Sequence, residues 1–99
     1  MKDDNVNEFI VRVLYGEKLW FLYRGKKYFL EGRRNDGRAD LYLYEMWENG
    51  KTYHWEGEPN HFPVEEFLKA RIWDGDEFWG GRWDMVWVED DTYTVKNES

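Results

Sequence analysis

The sequence predicts an α+β domain: an antiparallel meander sheet of five to six strands with one main α-helix packed on one face. Two observations indicate this class. Before the midpoint, side chains alternate with period 2 in short runs that glycine-containing turns separate. After the only two prolines, Pro59 and Pro63, apolar side chains recur at helical spacing. We therefore expect a single domain over residues 1–99, with strands within residues 8–56, a helix at about 63–73, a last strand at about 83–89 and a tail at 90–99.

The strands of the first half are predicted from alternation and from the turns between them. Phe9, Val11 and Val13 fall on one side of the first run. Gly16-Glu17 and Gly25-Lys26 are Gly-X pairs suited to tight hairpins, and Asn49-Gly50 is the strongest hairpin signal in the chain. The predicted strands cover residues 9–15, 18–24, 27–31, 40–47 and 51–56.

The second half is predicted to hold the helix and a returning strand. Pro63 suits the first helical turn, and an apolar stripe follows it at Val64, Phe67, Leu68 and Ile72. Gly75 predicts the end of this helix near Trp73 because glycine readily adopts the left-handed conformation of a C-cap. Alternation resumes at Trp83, which predicts the last strand.

Charge is distributed unevenly along the 99 residues. The chain has 14 Lys+Arg, 21 Asp+Glu and a formal net charge of -7. Residues 1–55 are close to neutral at +1, whereas residues 56–99 carry -8. This balance argues against direct binding of nucleic acid, which requires a cationic surface, and against anionic membrane surfaces. We expect the carboxylates of the second half to form an acidic partner-binding face, at Glu65, Glu66, Asp74, Asp76, Glu77, Glu89, Asp90 and Asp91.

Aromatic side chains suggest an alternative binding face. The chain has seven Trp, seven Tyr and six Phe, more large rings than one helix can cover on a sheet of this size. Tyr and Trp are enriched at protein interfaces. The alternative is therefore a protein-protein or oligomerisation module, including a homodimer, that uses Trp20, Tyr42, Tyr44 and Trp55. A carbohydrate-binding module that stacks sugars on these rings is a further alternative.

Catalysis and metal binding receive little support from the residue types present. The chain has no Cys, its single Ser is Ser99, and neither His54 nor His61 lies in a nucleophile motif. An extended segment would place His54, Glu56 and Glu58 on one face, but their spacing matches no specific zinc motif. We predict no enzyme activity, no cofactor and no metal site. The absence of cysteine and of an apolar leader at the N-terminus predicts a cytoplasmic location.

Two short runs carry a resemblance. The letters IWDGDEFW at residues 72–79 and VWVE at residues 86–89 resemble a run found in small uncharacterised acidic proteins of Gram-positive bacteria and their phages and mobile elements. In general character the chain is also similar to phage-encoded anti-CRISPR inhibitors, several of which resemble nucleic acid in charge. That similarity implies an inhibitor that blocks the basic nucleic-acid-binding groove of a partner protein.

Overall fold

A computed structural model describes residues 1–89 of the chain. The helices are α1 (Asp3–Leu14), α2 (Val64–Lys69) and α3 (Phe78–Gly81), followed by a 3₁₀ turn at Arg82–Asp84. The strands are β1 (Leu19–Tyr23), β2 (Lys26–Asn35), β3 (Arg38–Glu45), β4 (Thr52–Trp55) and β5 (Met85–Val88). The α+β class and the antiparallel sheet are thus confirmed, whereas the expected tail at residues 90–99, with Asp90 and Asp91, lies outside the described residues.

The five strands form one open sheet in the order β4-β3-β2-β1-β5, and every neighbouring pair is antiparallel. Strands β1 to β4 follow one another as hairpins, as a meander requires. The first hairpin turns at Arg24-Gly25, where both residues have positive φ, one position earlier than predicted. Strand β5 returns from the second half of the chain and pairs with β1.

The first predicted strand, residues 9–15, is wrong: residues 9–14 belong to helix α1, and Tyr15 follows its end. Its buried residues are Val6, Phe9 and Val13, which lie three and four positions apart and therefore share one side of a helix. Asp3 and Asp4 lie in the first turn, where negative charge interacts favourably with the helix dipole. The expected hairpin at Gly16-Glu17 is replaced by the end of this helix. Gly16 has a φ of +70°, and its amide donates a hydrogen bond to the Val13 carbonyl.

The helix predicted at about 63–73 is shorter than expected, and α1 is the longest helix of the described residues. Helix α2 ends at Lys69 because the following segment folds into a tight turn. Asp74 and Gly75 both have positive φ there, and Trp73 pairs with Asp76 through two backbone hydrogen bonds. Trp73 is fully buried, so this turn inserts a large side chain into the core instead of extending a helix.

The core lies between one face of the sheet and the three helices. Phe9 of α1 contacts Phe21 of β1 at 5.6 Å and Phe78 of α3 at 5.3 Å between ring centroids. Phe67 of α2 contacts Trp55 of β4 at 5.8 Å. The opposite face, here called the open face, is covered by none of the helices within residues 1–89. In the same range, no helix has the length and apolar character that crossing a membrane would require.

Candidate binding surfaces

The open face carries five rings that run across four strands, here called the aromatic ladder. Strand register places them side by side: Trp20 opposite Phe29, Phe29 opposite Tyr44, and Tyr42 opposite His54. The successive centroid distances are 5.0 Å, 5.6 Å, 6.3 Å and 4.3 Å, and every pair is near parallel. Such offset stacking is favourable between aromatic rings and makes the ladder a continuous surface.

The stacking determines which parts of the ladder a ligand can reach. Phe29 lies between Trp20 and Tyr44, and Tyr42 lies between Tyr44 and His54. The ring faces are therefore directed toward neighbouring rings. A sugar that stacks on a free ring face would find one only at the two ends of the ladder, whereas a protein surface can pack against its length.

Polar groups fix the middle of the ladder. The Tyr44 hydroxyl donates to Glu31 Oε2 at 2.8 Å, and the Arg33 guanidinium lies 5.9 Å from the centre of the Tyr42 ring. Burial and the bond to Glu31 raise the pKa of Tyr44, so its hydroxyl stays protonated. The open face thus presents rings whose polar ends are already bonded within the sheet.

A buried carboxylate supports the β4 end of the ladder. Asp40 has no exposed surface, and its two oxygens accept bonds from the Arg38 guanidinium at 3.0 Å and 3.3 Å and from the Gly57 amide at 3.1 Å. Its Oδ2 also lies 2.9 Å from His54 Nε2 and 3.2 Å from the Asn35 amide nitrogen. The Arg38 guanidinium, helped by His54 and Asn35, holds the pKa of Asp40 well below its usual range. The ion pair and its bonds therefore fix the orientation of the His54 ring.

Next to this cluster, four carboxylates surround one concave surface, here called the acidic pocket. Glu56 and Glu58 follow β4, whereas Glu65 and Glu66 come from the first turn of α2. The pocket encloses about 230 Å³, and His61 also lines it. His61 Nε2 lies 3.1 Å from Glu65 Oε1, and this contact lowers the pKa of Glu65. Two segments that are separate in sequence therefore concentrate negative charge at one edge of the sheet.

The other predicted acidic residues are dispersed. Asp74 Oδ2 accepts bonds from Arg24 Nη1 at 2.7 Å and from the Tyr23 hydroxyl at 3.0 Å, so its charge is paired. Glu77 lies 3.9 Å from Arg71 in an exposed pair, which contributes little to stability. Asp76 and Glu89 are exposed, in the tight turn and after β5 respectively. Of the six residues of the predicted acidic face that lie within residues 1–89, Glu65 and Glu66 belong to the acidic pocket and the other four do not.

The predicted aromatic face is brought together in part. Trp20, Tyr42 and Tyr44 all belong to the ladder, but Trp55 lies on the helix-covered face, opposite Leu41 in the sheet register. Phe29 and His54 belong to the ladder and were not predicted as site residues. Period-2 alternation combined with the correct strand register would have identified both.

The two histidines are directed to different carboxylates. His54 bonds to Asp40 and His61 bonds to Glu65, so the candidate set of His54, Glu56 and Glu58 does not converge. Within residues 1–89, no group of three or more His, Asp or Glu side chains is arranged to hold a metal ion.

Comparison of the chain with protein-family models, with curated proteins and with solved structures finds no match. The ladder and the acidic pocket adjoin at β4, because Arg38 contacts both Asp40 and, at 3.7 Å, Glu56.

Proposed function

We propose that this chain is a non-catalytic binding protein that blocks the basic nucleic-acid-binding groove of a partner protein, with the acidic pocket as its main contact. The observation that supports the proposal is the convergence of Glu56, Glu58, Glu65 and Glu66 on one concave surface. A concave array of carboxylates complements cationic side chains in charge. Complementary charge of this kind accelerates association and selects the partner.

Most of the charge of the acidic pocket remains available for a partner. The side chain of Glu56 is 66% exposed and that of Glu65 is 55% exposed. Glu58 and Glu66 form no ion pair within 4 Å with another residue of the described range 1–89. Because dissolved ions screen exposed charges, the attraction between the acidic pocket and a basic partner should weaken strongly as salt is added.

The proposed contact is the acidic pocket alone and not the whole acidic second half of the chain, residues 56–99. Arg24 neutralises part of that half by pairing with Asp74 at 2.7 Å and with Asp84 at 3.0 Å. Both pairs are solvent-exposed, so they contribute little to stability, but they reduce the unpaired negative charge of that half. Within residues 1–89, Arg38 is the one Lys or Arg side chain within 4 Å of a carboxylate of the acidic pocket, at 3.7 Å from Glu56, so the acidic pocket is the more effective contact for a basic groove.

The test uses a defined cationic probe, a synthetic peptide that alternates arginine and glycine. The peptide should shift the amide resonances of Gly57, His61 and Glu66, and its affinity should fall between about 50 mM and 200 mM salt. A variant that changes Glu56, Glu58, Glu65 and Glu66 to Gln should bind roughly tenfold more weakly, since each exposed ion pair is worth about 0.2–1 kcal/mol.

A matched control removes four charges elsewhere, with Asp4→Asn, Asp36→Asn, Glu48→Gln and Asp76→Asn. This control should bind the peptide almost as well as the unchanged protein does. An equal loss in both variants would assign the binding to net charge and would contradict a role for the acidic pocket. Duplex DNA bound to the same peptide should be released when the unchanged protein is added.

A second candidate function is an oligomerisation or protein-docking module that uses the aromatic ladder. The observation that favours it is the position of Trp20, Phe29, Tyr42 and Tyr44 on a sheet face that none of the helices in residues 1–89 covers. Large rings in a contiguous patch are typical of residues that dominate binding energy at interfaces.

Self-association through the ladder should persist at high salt and should be lost in Trp20→Ala, as measured by sedimentation equilibrium. Trp79→Ala is the control, because Trp79 is 43% exposed and belongs to α3 rather than to the ladder. A protein that remains monomeric at all concentrations, or dimers equally sensitive to both substitutions, would contradict a homodimer formed through the ladder.

A further inference from the structure

A separate cavity lies where the β1–β2 hairpin meets the Asp74-Gly75 turn, on the helix-covered side of the sheet, and is here called the hairpin cavity. It encloses about 350 Å³, which is within the range of small-ligand sites. Its lining combines charges of both signs, Lys26 and Glu45, with the apolar surfaces of Trp47 and Ile72. It shares no lining residue with the acidic pocket or with the ladder.

Tyr28 contributes an unused hydrogen-bonding group to the hairpin cavity. The residue is 4% exposed, yet its hydroxyl makes no hydrogen bond to any residue in the described range 1–89. The hydroxyl oxygen is not enclosed, since Trp73 Nε1 is the one side-chain polar atom within residues 1–89 that is both buried and unpartnered, so the Tyr28 hydroxyl is open to the hairpin cavity. Burial, with a smaller effect of Glu45, raises the pKa of Tyr28 to about 12, so the hydroxyl is a neutral donor at physiological pH.

Lys26 and Glu45 are opposite charges that line the same cavity without pairing. The Lys26 ammonium lies 5.3 Å from the centre of the Trp47 ring, and no carboxylate within residues 1–89 approaches it to within 4 Å. Glu45 is held by two neutral donors, the Lys51 amide at 2.9 Å and the Tyr53 hydroxyl at 3.0 Å. Its position is therefore fixed while its charge has no cationic partner within 4 Å in that range.

Strand geometry places these groups together. Tyr28 and Glu45 are register partners across β2 and β3, and Lys26 precedes Tyr28 by two residues on the same face. A donor pair and a fixed carboxylate thus border a single cavity. Arg24 and Asp74, the other two charged residues that line the cavity, are paired with each other.

We propose that the hairpin cavity binds a free α-amino acid with an apolar side chain, with the carboxylate on Lys26 and Tyr28, the ammonium on Glu45, and the side chain against Trp47. A ligand carrying only a negative charge would leave Glu45 uncompensated and repel it. A ligand carrying only a positive charge would leave Lys26 without a counter-charge and would be repelled by it. A zwitterion satisfies both, and the apolar wall favours an aliphatic or aromatic side chain.

The test is an NMR titration of the ¹⁵N-labelled full chain with three probes that share one ring: L-phenylalanine, 3-phenylpropionate and 2-phenylethylamine. Phenylalanine should shift the amides of Tyr28 and Glu45 and the indole resonance of Trp47. Each probe that lacks one charge should bind about tenfold more weakly, as expected for the loss of a charged hydrogen bond.

Three substitutions that each remove one polar group but keep the shape of the side chain test the location of the site. Lys26→Met keeps the packing on Trp47 but removes the charge, Glu45→Gln keeps the bonded shape, and Tyr28→Phe removes only the hydroxyl. The first two should weaken phenylalanine binding about tenfold and the third several-fold, whereas the exposed control Glu48→Gln should leave it unchanged. Equal binding of the three probes, full affinity in Lys26→Met, or no localised shift at tens of millimolar phenylalanine would overturn the proposal.

Discussion

Replacing Asp40 with Asn should lower the free energy of unfolding by about 2 kcal/mol, because it removes the charge of a fully buried carboxylate and weakens its hydrogen bonds to the Arg38 guanidinium, which is 37% exposed and keeps Glu56 at 3.7 Å. The carboxylate is fully buried and accepts bonds from Arg38, Asn35 and the Gly57 amide. An asparagine of the same shape keeps one acceptor oxygen but presents an amide group to the guanidinium. Urea denaturation at neutral pH measures the loss.

The same substitution should change the pH dependence of stability. The pKa of Asp40 in the folded protein is lower than the value of about 3.9 expected for an unfolded chain. The stabilisation from this group is therefore fully present above about pH 4 and is lost as the pH falls toward the folded pKa. The unchanged protein should lose this contribution on acidification, whereas Asp40→Asn lacks it at every pH.

Asp36→Asn is the matched control for Asp40→Asn. Asp36 is exposed in the adjacent turn at φ +51°, a conformation that asparagine tolerates well. The control should unfold within about 0.5 kcal/mol of the unchanged protein. If both variants were equally stable, the Asp40 ion pair would make no net contribution to folding.

Asp40 also connects the two candidate surfaces. It orients His54 at one end of the ladder and bonds to the Gly57 amide at the margin of the acidic pocket. A variant that loosens this carboxylate should therefore alter the resonances of both surfaces together. Burying the Asp40 carboxylate carries a free-energy penalty of desolvation, and its role in positioning two adjoining surfaces explains why a charged residue occupies this position.

Local signals predicted the parts of the fold that local chemistry determines. The β3–β4 hairpin turns near Asn49 as predicted, although its connection spans residues 46–51 and Gly50 does not share the positive φ of Asn49. The last strand begins at Met85, two residues after the alternation resumes. The prediction that Gly75 ends a helix near Trp73 is wrong, because helix α2 ends at Lys69 and Asp74-Gly75 belongs to a separate turn. The pair makes a tight turn that buries Trp73, and only the surrounding core explains that outcome.

The candidate surfaces depend on contacts between distant positions, which a single sequence does not reveal. Alternation was enough to group Tyr42 and Tyr44, since they are two residues apart on β3. Assigning Trp55 required the register of the β3–β4 hairpin, and a shift of one residue exchanges the two faces. Similarly, the charge excess of the second half gave no indication that Arg24 would pair with Asp74.

Phe9→Ala and Val11→Ala should differ sharply, and this difference tests helix α1 against the strand expected from alternation. In a strand, Phe9, Val11 and Val13 would share one face, so both substitutions would remove buried surface. In the helix, Phe9 is fully buried against Phe21 and Phe78, whereas Val11 is 47% exposed. Phe9→Ala should therefore cost about 3–5 kcal/mol, and Val11→Ala should stay within roughly 0.5 kcal/mol of the unchanged protein. Thermal and urea denaturation measure both losses of stability, and comparable losses would contradict the helix. Val6 and Val13 are both buried although they are seven positions apart, which places them on one side of a helix but on opposite faces of a strand.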